Sequence, residues 1–255
     1  MIDLHVILLP NVEKGPTDTE TFLKMSRKLV SEGITTIMTS PFYDGKDFGF
    51  ERNTILDRVH AANCSLKETK IPLNVVPGQR VLLQPTLHHS YNINDSLTVD
   101  DNRTYLLLQL PRTSFIAYID QVMYELQLKK IIPIINEPEC HPYFRNNPNA
   151  VYELVKKGAV MQISSQSLMG YNGAQEKRFA YLLLRHGLVH LMASGCHATN
   201  YQKYALPKAY DVIQRRFGVR SVYLLMENAE SVMGGQGIQK EQPERIRKEK
   251  FLGIF

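Results

Sequence analysis

The sequence of 255 residues contains only three cysteines, Cys64, Cys140 and Cys196, and no long apolar run. The cysteine spacings match no zinc-binding motif, and an odd number without a secretory leader predicts reduced thiols. No stretch approaches the roughly 18 apolar residues that a membrane span needs. The first five residues place an acid and a histidine inside an apolar run, without a basic leader or a small-residue cleavage site, so no signal peptide is predicted. We therefore expect a cytoplasmic protein without a membrane span.

The composition is that of an ordinary globular protein. Apolar residues make up 44% of the chain and charged residues 22%, which excludes a disordered or collagen-like chain. No linker divides the sequence, so we predict a single domain over residues 1–238 and a basic tail over 239–255. The net charge is +5, and we attribute much of the excess positive charge to the basic residues of this C-terminal tail. No aromatic residue is interleaved with those bases, which favours a solvated tail over a nucleic-acid site.

Short apolar runs alternate with amphipathic segments along the whole chain. The runs at 2–9, 34–39, 71–76, 79–83, 105–110, 131–136, 159–164 and 189–193 are predicted strands. Predicted helices begin near 17 and cover 51–67, 115–128, 147–157, 175–186, 207–216 and 219–226. About seven β/α units predict an α/β fold with a parallel barrel, whose functional residues lie at the C-terminal ends of the strands.

The residues at the predicted strand ends do not fit a multi-metal hydrolase. Such a site needs several histidines and carboxylates, because each divalent ion takes four to six nitrogen or oxygen ligands. The sequence supplies too few of them, and two cations, Lys14 and Arg80, stand where anions are expected.

Several blocks of sequence nevertheless occur in a recognisable order. They are Met1-Ile2-Asp3-Leu4-His5 with Leu9-Pro10 and Gly15, Glu32-Gly33-Ile34-Thr35-Thr36-Ile37, Ser40-Pro41, Gly78-Gln79, Tyr105-Leu106-Leu107, Pro133-Ile134-Ile135 with Pro138-Glu139, and Ala193-Ser194 with His197. In these blocks the chain resembles the PHP-type bacterial protein-tyrosine phosphatases of capsule and exopolysaccharide operons. The resemblance implies a distorted (β/α)7 TIM-like barrel, a manganese or iron cluster at its mouth, and a partner tyrosine kinase whose tyrosine-rich tail is the substrate.

The departures from the family pattern fall on its metal ligands, of which only His5 and His197 are matched. Ile7, Lys14, Phe42, Tyr43, Arg80, Gln109, Glu137 and Gly195 stand at the other ligand positions, and Cys140 replaces an arginine. Four carboxylate positions become neutral or cationic and one histidine becomes Glu137, which together make the site five charges more positive. Three divalent ions would carry a similar charge, so the substitutions indicate an adapted, metal-free pocket. The alternative is that Arg80 and Glu137 form a buried pair that plugs the old site.

The resemblance and its departures lead to one main hypothesis. It is a degenerate, metal-poor homologue with a binding or regulatory role in capsule or exopolysaccharide synthesis, whose pocket residues Lys14, Arg80, Gln109 and Glu137 hold an anion such as a phosphorylated kinase tail. No cofactor is expected in that case, and His5 and His197 are remnant ligands.

Two alternatives stay open beside it. The first is an active metal-dependent tyrosine phosphatase with a reduced manganese or iron site built from His5, His197 and one or two of Glu13, Glu137 and Glu139. The second is a structural subunit that forms a hetero-oligomer with an intact paralogue, or a homo-oligomer.

Cysteine chemistry is a weaker possibility. A Cys-x5-Arg phosphatase loop is rejected because four residues separate Cys140 from Arg145. Cys196 is expected to be the thiol nearest the mouth of the site, with no identifiable base. His88 and His89 are interpreted as a surface pair.

Overall fold

The computed structural model describes residues 1–44, 50–84, 96–111 and 117–246. The strands in these ranges are β1 Ile2–Val6, β2 Thr36–Thr39, β3 Phe42–Tyr43, β4 Asn74–Val76, β5 Arg80–Leu82, β6 Tyr105–Gln109, β7 Ile132–Asn136, β8 Val160–Ser164 and β9 Leu191–Ala193. They form a three-stranded sheet in the order β1-β2-β4 and a six-stranded sheet in the order β3-β5-β6-β7-β8-β9. Every pairing is parallel, so the C-terminal strand ends share one edge.

The two sheets adjoin at both sides. Val6, at the end of β1, forms a parallel bridge with Cys196 just after β9, and the amide of Ile7 donates to the Cys196 carbonyl at 2.8 Å. On the other side, β2 and β3 are separated by only Ser40 and Pro41. The fold is thus α/β with parallel sheets, as predicted, while a closed seven-stranded barrel stays a prediction.

The helices are α1 Thr19–Ser31, α2 Arg52–Glu68, α3 Ile119–Leu128, α4 Pro142–Asn146, α5 Pro148–Lys156, α6 Ser165–Met169, α7 Ala174–Arg185, α8 Leu206–Phe217 and α9 Val219–Met233. The Asp18 carboxylate caps α1 by accepting from the amide of Thr21 at 2.7 Å. Helix α9 runs seven residues past its predicted end at 226, because Leu225, Ala229 and Val232 continue its buried face. The short helices α4 and α6 were missed, since neither has two turns of apolar periodicity. Residues 115 and 116 of the predicted third helix lie outside the described residues, as do His88 and His89.

A buried carboxylate joins β1 to the segment after β9. Asp3, fully buried, accepts from the amide of Ser194 at 3.0 Å and from the Tyr204 hydroxyl at 2.9 Å. Burial raises the pKa of Asp3. Because residue 3 is bonded to residues about 190 and 200 positions away, this contact fixes the position of β1, which carries His5.

The described part of the predicted tail lies against the domain. Ile246 is buried, its amide donates to Asn149 Oδ1 at 2.9 Å, and the amide of Glu244 donates to the His186 carbonyl at 2.9 Å. The division at residue 238 stays a prediction. No helix among the described residues is long and apolar enough to cross a bilayer.

Candidate functional site

A cleft of about 770 Å³ opens at the C-terminal ends of the strands. All six site residues predicted from the sequence line it: His5 from β1, Lys14 from the following loop, Arg80 from β5, Gln109 from β6, Glu137 after β7 and His197 after β9. Five of them stand near or beyond the C-terminal end of a strand, which the parallel pairing brings to one edge, whereas Arg80 is the first residue of β5 and its guanidinium reaches Gln109 at the end of β6. The roles of these residues stay a prediction.

Arg80 is the cation most firmly held in the cleft. Its Nη2 donates to Glu13 Oε1 at 2.8 Å and its Nη1 to Gln109 Oε1 at 3.2 Å, while the guanidinium lies 5.8 Å from the centre of the Phe42 ring. The Nε atom is buried without a hydrogen-bond partner. Arg80 therefore forms an ion pair with Glu13, while the pairing of Arg80 with Glu137 considered from the sequence stays a prediction.

The loop after β1 places Glu13 at this position. Glu13 has a left-handed backbone, with φ of 47°, and its Oε2 accepts from the amide of Phe42 at 2.9 Å. Glu13 was considered only as a possible metal ligand, and its pairing with Arg80 was missed. Its position beside Lys14 in a loop after a strand was the only signal in the sequence.

A row of buried amides continues from Arg80 across three strands. Gln109, Asn136 and Gln162 are register partners on β6, β7 and β8. Asn136 Nδ2 donates to Gln109 Oε1 at 3.3 Å, and Gln162 Nε2 donates to Asn136 Oδ1 at 3.1 Å. Gln109 Oε1 thus accepts from both Arg80 and Asn136, and of the three amides Gln109 and Asn136 line the cleft.

The two histidines line the same cleft, and burial biases both toward the neutral form. Nδ1 of His5 is hydrogen-bonded to Ser40 Oγ at 2.5 Å, and burial, with smaller contributions from Arg80 and His197, holds the His5 pKa well below its usual value. Burial and the nearby Lys14 also lower the pKa of His197, although Glu13 opposes the shift. Nδ1 of His197 lies 3.0 Å from Thr199 Oγ1.

Gly195 stands beside His5, where the family pattern has an aspartate. Its φ is +63°, a conformation that L side chains rarely adopt, and a Cβ there would lie 3.3 Å from Glu137 Oε1. A carboxylate at position 195 would therefore be strained and would face Glu137. The left-handed backbone at position 195 and the nearby carboxylate of Glu137 therefore both favour glycine there.

The remaining wall holds a thiol and a buried acid. Glu139 is fully buried, its Oε1 accepts from the amide of Ser164 at 2.8 Å, and burial together with Glu137 raises its pKa to about 8. Cys140 lines the cleft, whereas Cys196 is buried, which corrects the expectation that Cys196 is the thiol at the mouth. Burial and the acids nearby raise the pKa of Cys140, so its thiol is a poor nucleophile.

The donor set does not fit a multi-metal cluster. Among the described residues there is no group of three or more histidine, cysteine, aspartate or glutamate side chains arranged to hold a metal ion. Glu13 is engaged by Arg80, and Lys14 lines the same cleft. Both cations repel a divalent ion at the position where the family pattern supplies carboxylates.

Comparison with known proteins shows which fold the chain shares and then which family it belongs to. In fold alone the chain is similar to a mutant organophosphorus hydrolase, with a TM-score of 0.55 at 14% identity over 91% of this chain and 92% of the other. Residues 1–234 match the family described as "Capsular polysaccharide synthesis, CpsB/CapC". The chain belongs to this family, which confirms the resemblance found in the sequence.

Its relatives are named as tyrosine phosphatases. The tyrosine-protein phosphatase YwqE of Bacillus subtilis is 33% identical over the full length of both chains. CapC of Staphylococcus aureus, named a putative tyrosine-protein phosphatase, is 24% identical over the full length of both. A structure from a study of YwqE and of CpsB from Streptococcus pneumoniae, described as unique metal-dependent tyrosine phosphatases, superposes with a TM-score of 0.91 at 33% identity, over 97% of this chain and 100% of the other.

Proposed function

We propose that this protein binds a phosphorylated or otherwise anionic ligand in the cleft without metal-dependent hydrolysis, and that it acts as a binding or regulatory member of its capsule-synthesis family. The observation that carries the proposal is the Arg80 centre, where a guanidinium held by Glu13 and Gln109 stands at a position that the family pattern gives to a metal-binding glutamate. The fork of N–H donors in arginine matches the oxygens of a phosphate.

The charges around Arg80 support binding over catalysis. Lys14 enters the cleft from the β1 loop, whose carbonyl at Lys14 accepts from the amide of Ala198 at 3.0 Å, beside His197. Lys14 and Arg80 supply fixed positive charge without polarising a bound water as a metal does. The cleft therefore has the means to hold an anion and lacks the set of ligands that would generate a hydroxide nucleophile.

The ligand class follows from the family. Relatives named as tyrosine phosphatases act on phosphotyrosine, so a phosphotyrosine segment, such as the tail of a tyrosine kinase, is the proposed ligand. About 770 Å³ exceeds the lower limit of typical small-ligand pockets and accommodates a phosphorylated ring.

The second candidate is an active phosphatase with a reduced metal site, favoured by the metal dependence stated for YwqE and CpsB. His5, His197 and Glu137 are the side chains that would hold one manganese or iron ion. The ideal Cβ position of Gly195 lies 3.9 Å from His5 Nε2 and 3.3 Å from Glu137 Oε1, so two of these groups face the same small space.

Phosphate binding and metal content, measured on the same protein, separate the two candidates. Isothermal titration with phenyl phosphate in the presence of a chelator should show binding by the wild type. Arg80→Gln should weaken it by roughly 10- to 100-fold, because a hydrogen bond to a charged group contributes about 1.5–3 kcal/mol. The matched control is Arg27→Gln, which removes an exposed cation from α1 and should leave the affinity unchanged.

The opposite pattern would establish the second candidate. Stoichiometric manganese by mass spectrometry, and hydrolysis of a phosphotyrosine peptide that is lost in His5→Ala, would replace the binding proposal by the reduced metal site. Co-elution with an intact paralogue in size-exclusion chromatography tests the subunit alternative separately, since neither cleft mechanism requires it.

A further inference from the structure

The segment that spans α7, α8 and α9 is rich in basic residues. Residues 174–233 contain eight basic and four acidic residues, a net charge of +4, whereas the whole chain carries +5. The predicted tail, residues 239–255, holds five basic and three acidic residues and contributes only +2. The tail therefore carries part of the excess charge, as the sequence indicated, and the segment that spans the three helices carries a larger share.

One arginine of this group lies over the Tyr181 ring, and two others share the side of α7 that carries this tyrosine. Arg178 and Arg185 stand three residues before and four after Tyr181 on α7, so they share its side of the helix. The guanidinium of Arg216, near the end of α8, lies 4.6 Å from the centre of the Tyr181 ring, and Phe217 stacks on that ring at 6.2 Å. These contacts bring the end of α8 against the arginine-bearing side of α7.

Two more arginines flank the corner between α8 and α9. Gly218 makes this corner with φ of +87°, and a Cβ built there meets no atom within 4 Å, so the corner projects into solvent. Beside it, Val219 is 51% exposed and Tyr223 60% exposed, and their spacing places them on one side of α9. Arg215 and Arg220 stand on either side of the corner. We call the five arginines, Val219 and Tyr223 the arginine surface.

The arginine surface lacks internal neutralisation. Over residues 1–44, 50–84, 96–111 and 117–246, none of its five arginines forms an ion pair. Asp211, one turn before Arg215, is the acidic residue of α8, and Glu227 lies one turn beyond Tyr223. Five exposed arginines without an ion pair in the described part of the chain attract a partner of the opposite sign.

We propose that the arginine surface docks this protein on an anionic lipid bilayer. Arginine binds lipid phosphates through its fork of donors, and basic residues near an anionic membrane each contribute to attraction. An exposed tyrosine beside an exposed aliphatic residue is typical of contact with the interfacial region. A projecting corner suits a bilayer better than it suits an acidic peptide, which is usually bound along a groove or a sheet edge.

Vesicle sedimentation tests the proposal with the full chain. The protein should partition onto vesicles of phosphatidylcholine containing 30% phosphatidylglycerol, but not onto pure phosphatidylcholine, and partitioning should fall with added salt. The variant Arg215→Gln/Arg216→Gln/Arg220→Gln should lose on the order of 100-fold in partition coefficient, at about fivefold per arginine. The matched control, Arg27→Gln/Lys67→Gln/Lys156→Gln, removes three exposed cations elsewhere and should bind within about threefold of the wild type.

A second variant separates docking from simple charge attraction. Val219→Ser/Tyr223→Ser should weaken binding several-fold while leaving its salt dependence unchanged, because the apolar contact is lost and the charges stay. Circular dichroism checks that both variants are folded. The proposal is overturned by equal losses in the two triple variants, by absence of binding to anionic vesicles, or by binding that is restricted to polyglutamate or to an oligonucleotide.

Discussion

Neutralising Glu13 is expected to tighten anion binding in the cleft. Glu13 Oε1 lies 2.8 Å from Nη2 of Arg80, so it occupies the guanidinium edge that an incoming phosphate would share. Glutamine in its place has nearly the same shape and keeps one oxygen that accepts from the amide of Phe42, while it removes the charge and the second oxygen, which accepts from Arg80. Glu13→Gln is therefore a substitution that changes the electrostatics with little change of shape.

The magnitude follows from Coulomb's law and from the exposure of the pair. Two unit charges about 5 Å apart interact by roughly 3 kcal/mol at an effective dielectric constant of about 20. The Arg80 and Glu13 side chains are 14% and 25% exposed, so solvent screening lowers this figure. For a ligand with one to two negative charges we expect about 1–2 kcal/mol, which is a roughly five- to thirtyfold lower Kd.

Isothermal titration with phenyl phosphate measures the effect. Glu20→Gln is the control, because Glu20 forms an ion pair with Lys24 at 2.6 Å on α1, outside the cleft, and its loss should leave Kd unchanged. Unchanged or weaker binding by a folded Glu13→Gln protein would refute the reasoning. It would mean that Glu13 serves to position Arg80 and does not compete with the ligand.

Three further predictions concern stability. Burial and Glu137 raise the pKa of Glu139 to about 8, so its contribution to stability is fully present below the ordinary pKa of 4.5 and is lost as the pH rises through 8. Glu139→Gln, which mimics the protonated acid, should reduce the fall in unfolding free energy between pH 6 and 9, measured by urea unfolding. An unchanged fall would assign the pH dependence to another group. Burial lowers the pKa of His190 to about 3, so its contribution to stability is fully present above pH 6.5 and is lost as the pH falls toward 3. His190→Gln should therefore show a smaller decrease in melting temperature than the wild type between pH 7 and 3. Equal decreases in the two proteins would contradict this expectation. Tyr204→Phe leaves the buried Asp3 without its hydroxyl donor and should lower the unfolding free energy by about 1–3 kcal/mol. The control Tyr223→Phe, at an exposed tyrosine, should lower it by less than about 0.5 kcal/mol. Equal losses would show that the contact between Tyr204 and Asp3 is not stabilising.

The sequence was sufficient for an α/β fold with parallel strands and for six of the residues that line the cleft. Each strand is a short apolar run followed by polar residues, as in β6, where four buried residues precede Gln109. Parallel strands end at one edge, so Gln109 and Glu137 converge there, whereas Arg80 stands at the start of β5 and reaches Gln109 through its long side chain. The motif order was also enough to identify the family, which the match over residues 1–234 confirms.

Only the tertiary structure decided how these side chains are paired. Glu13 reaches Arg80 because a loop with a left-handed residue turns it toward the cleft, and such a backbone leaves no reliable pattern in the sequence. Cys140 lines the cleft and Cys196 is buried, a difference that the sequence around the two cysteines did not indicate. The Asp3 carboxylate accepts a hydrogen bond from the hydroxyl of Tyr204, which lies 201 residues further along the chain. Local sequence dictates periodicity and strand ends, whereas partners distant along the chain are selected by the packing of the whole fold.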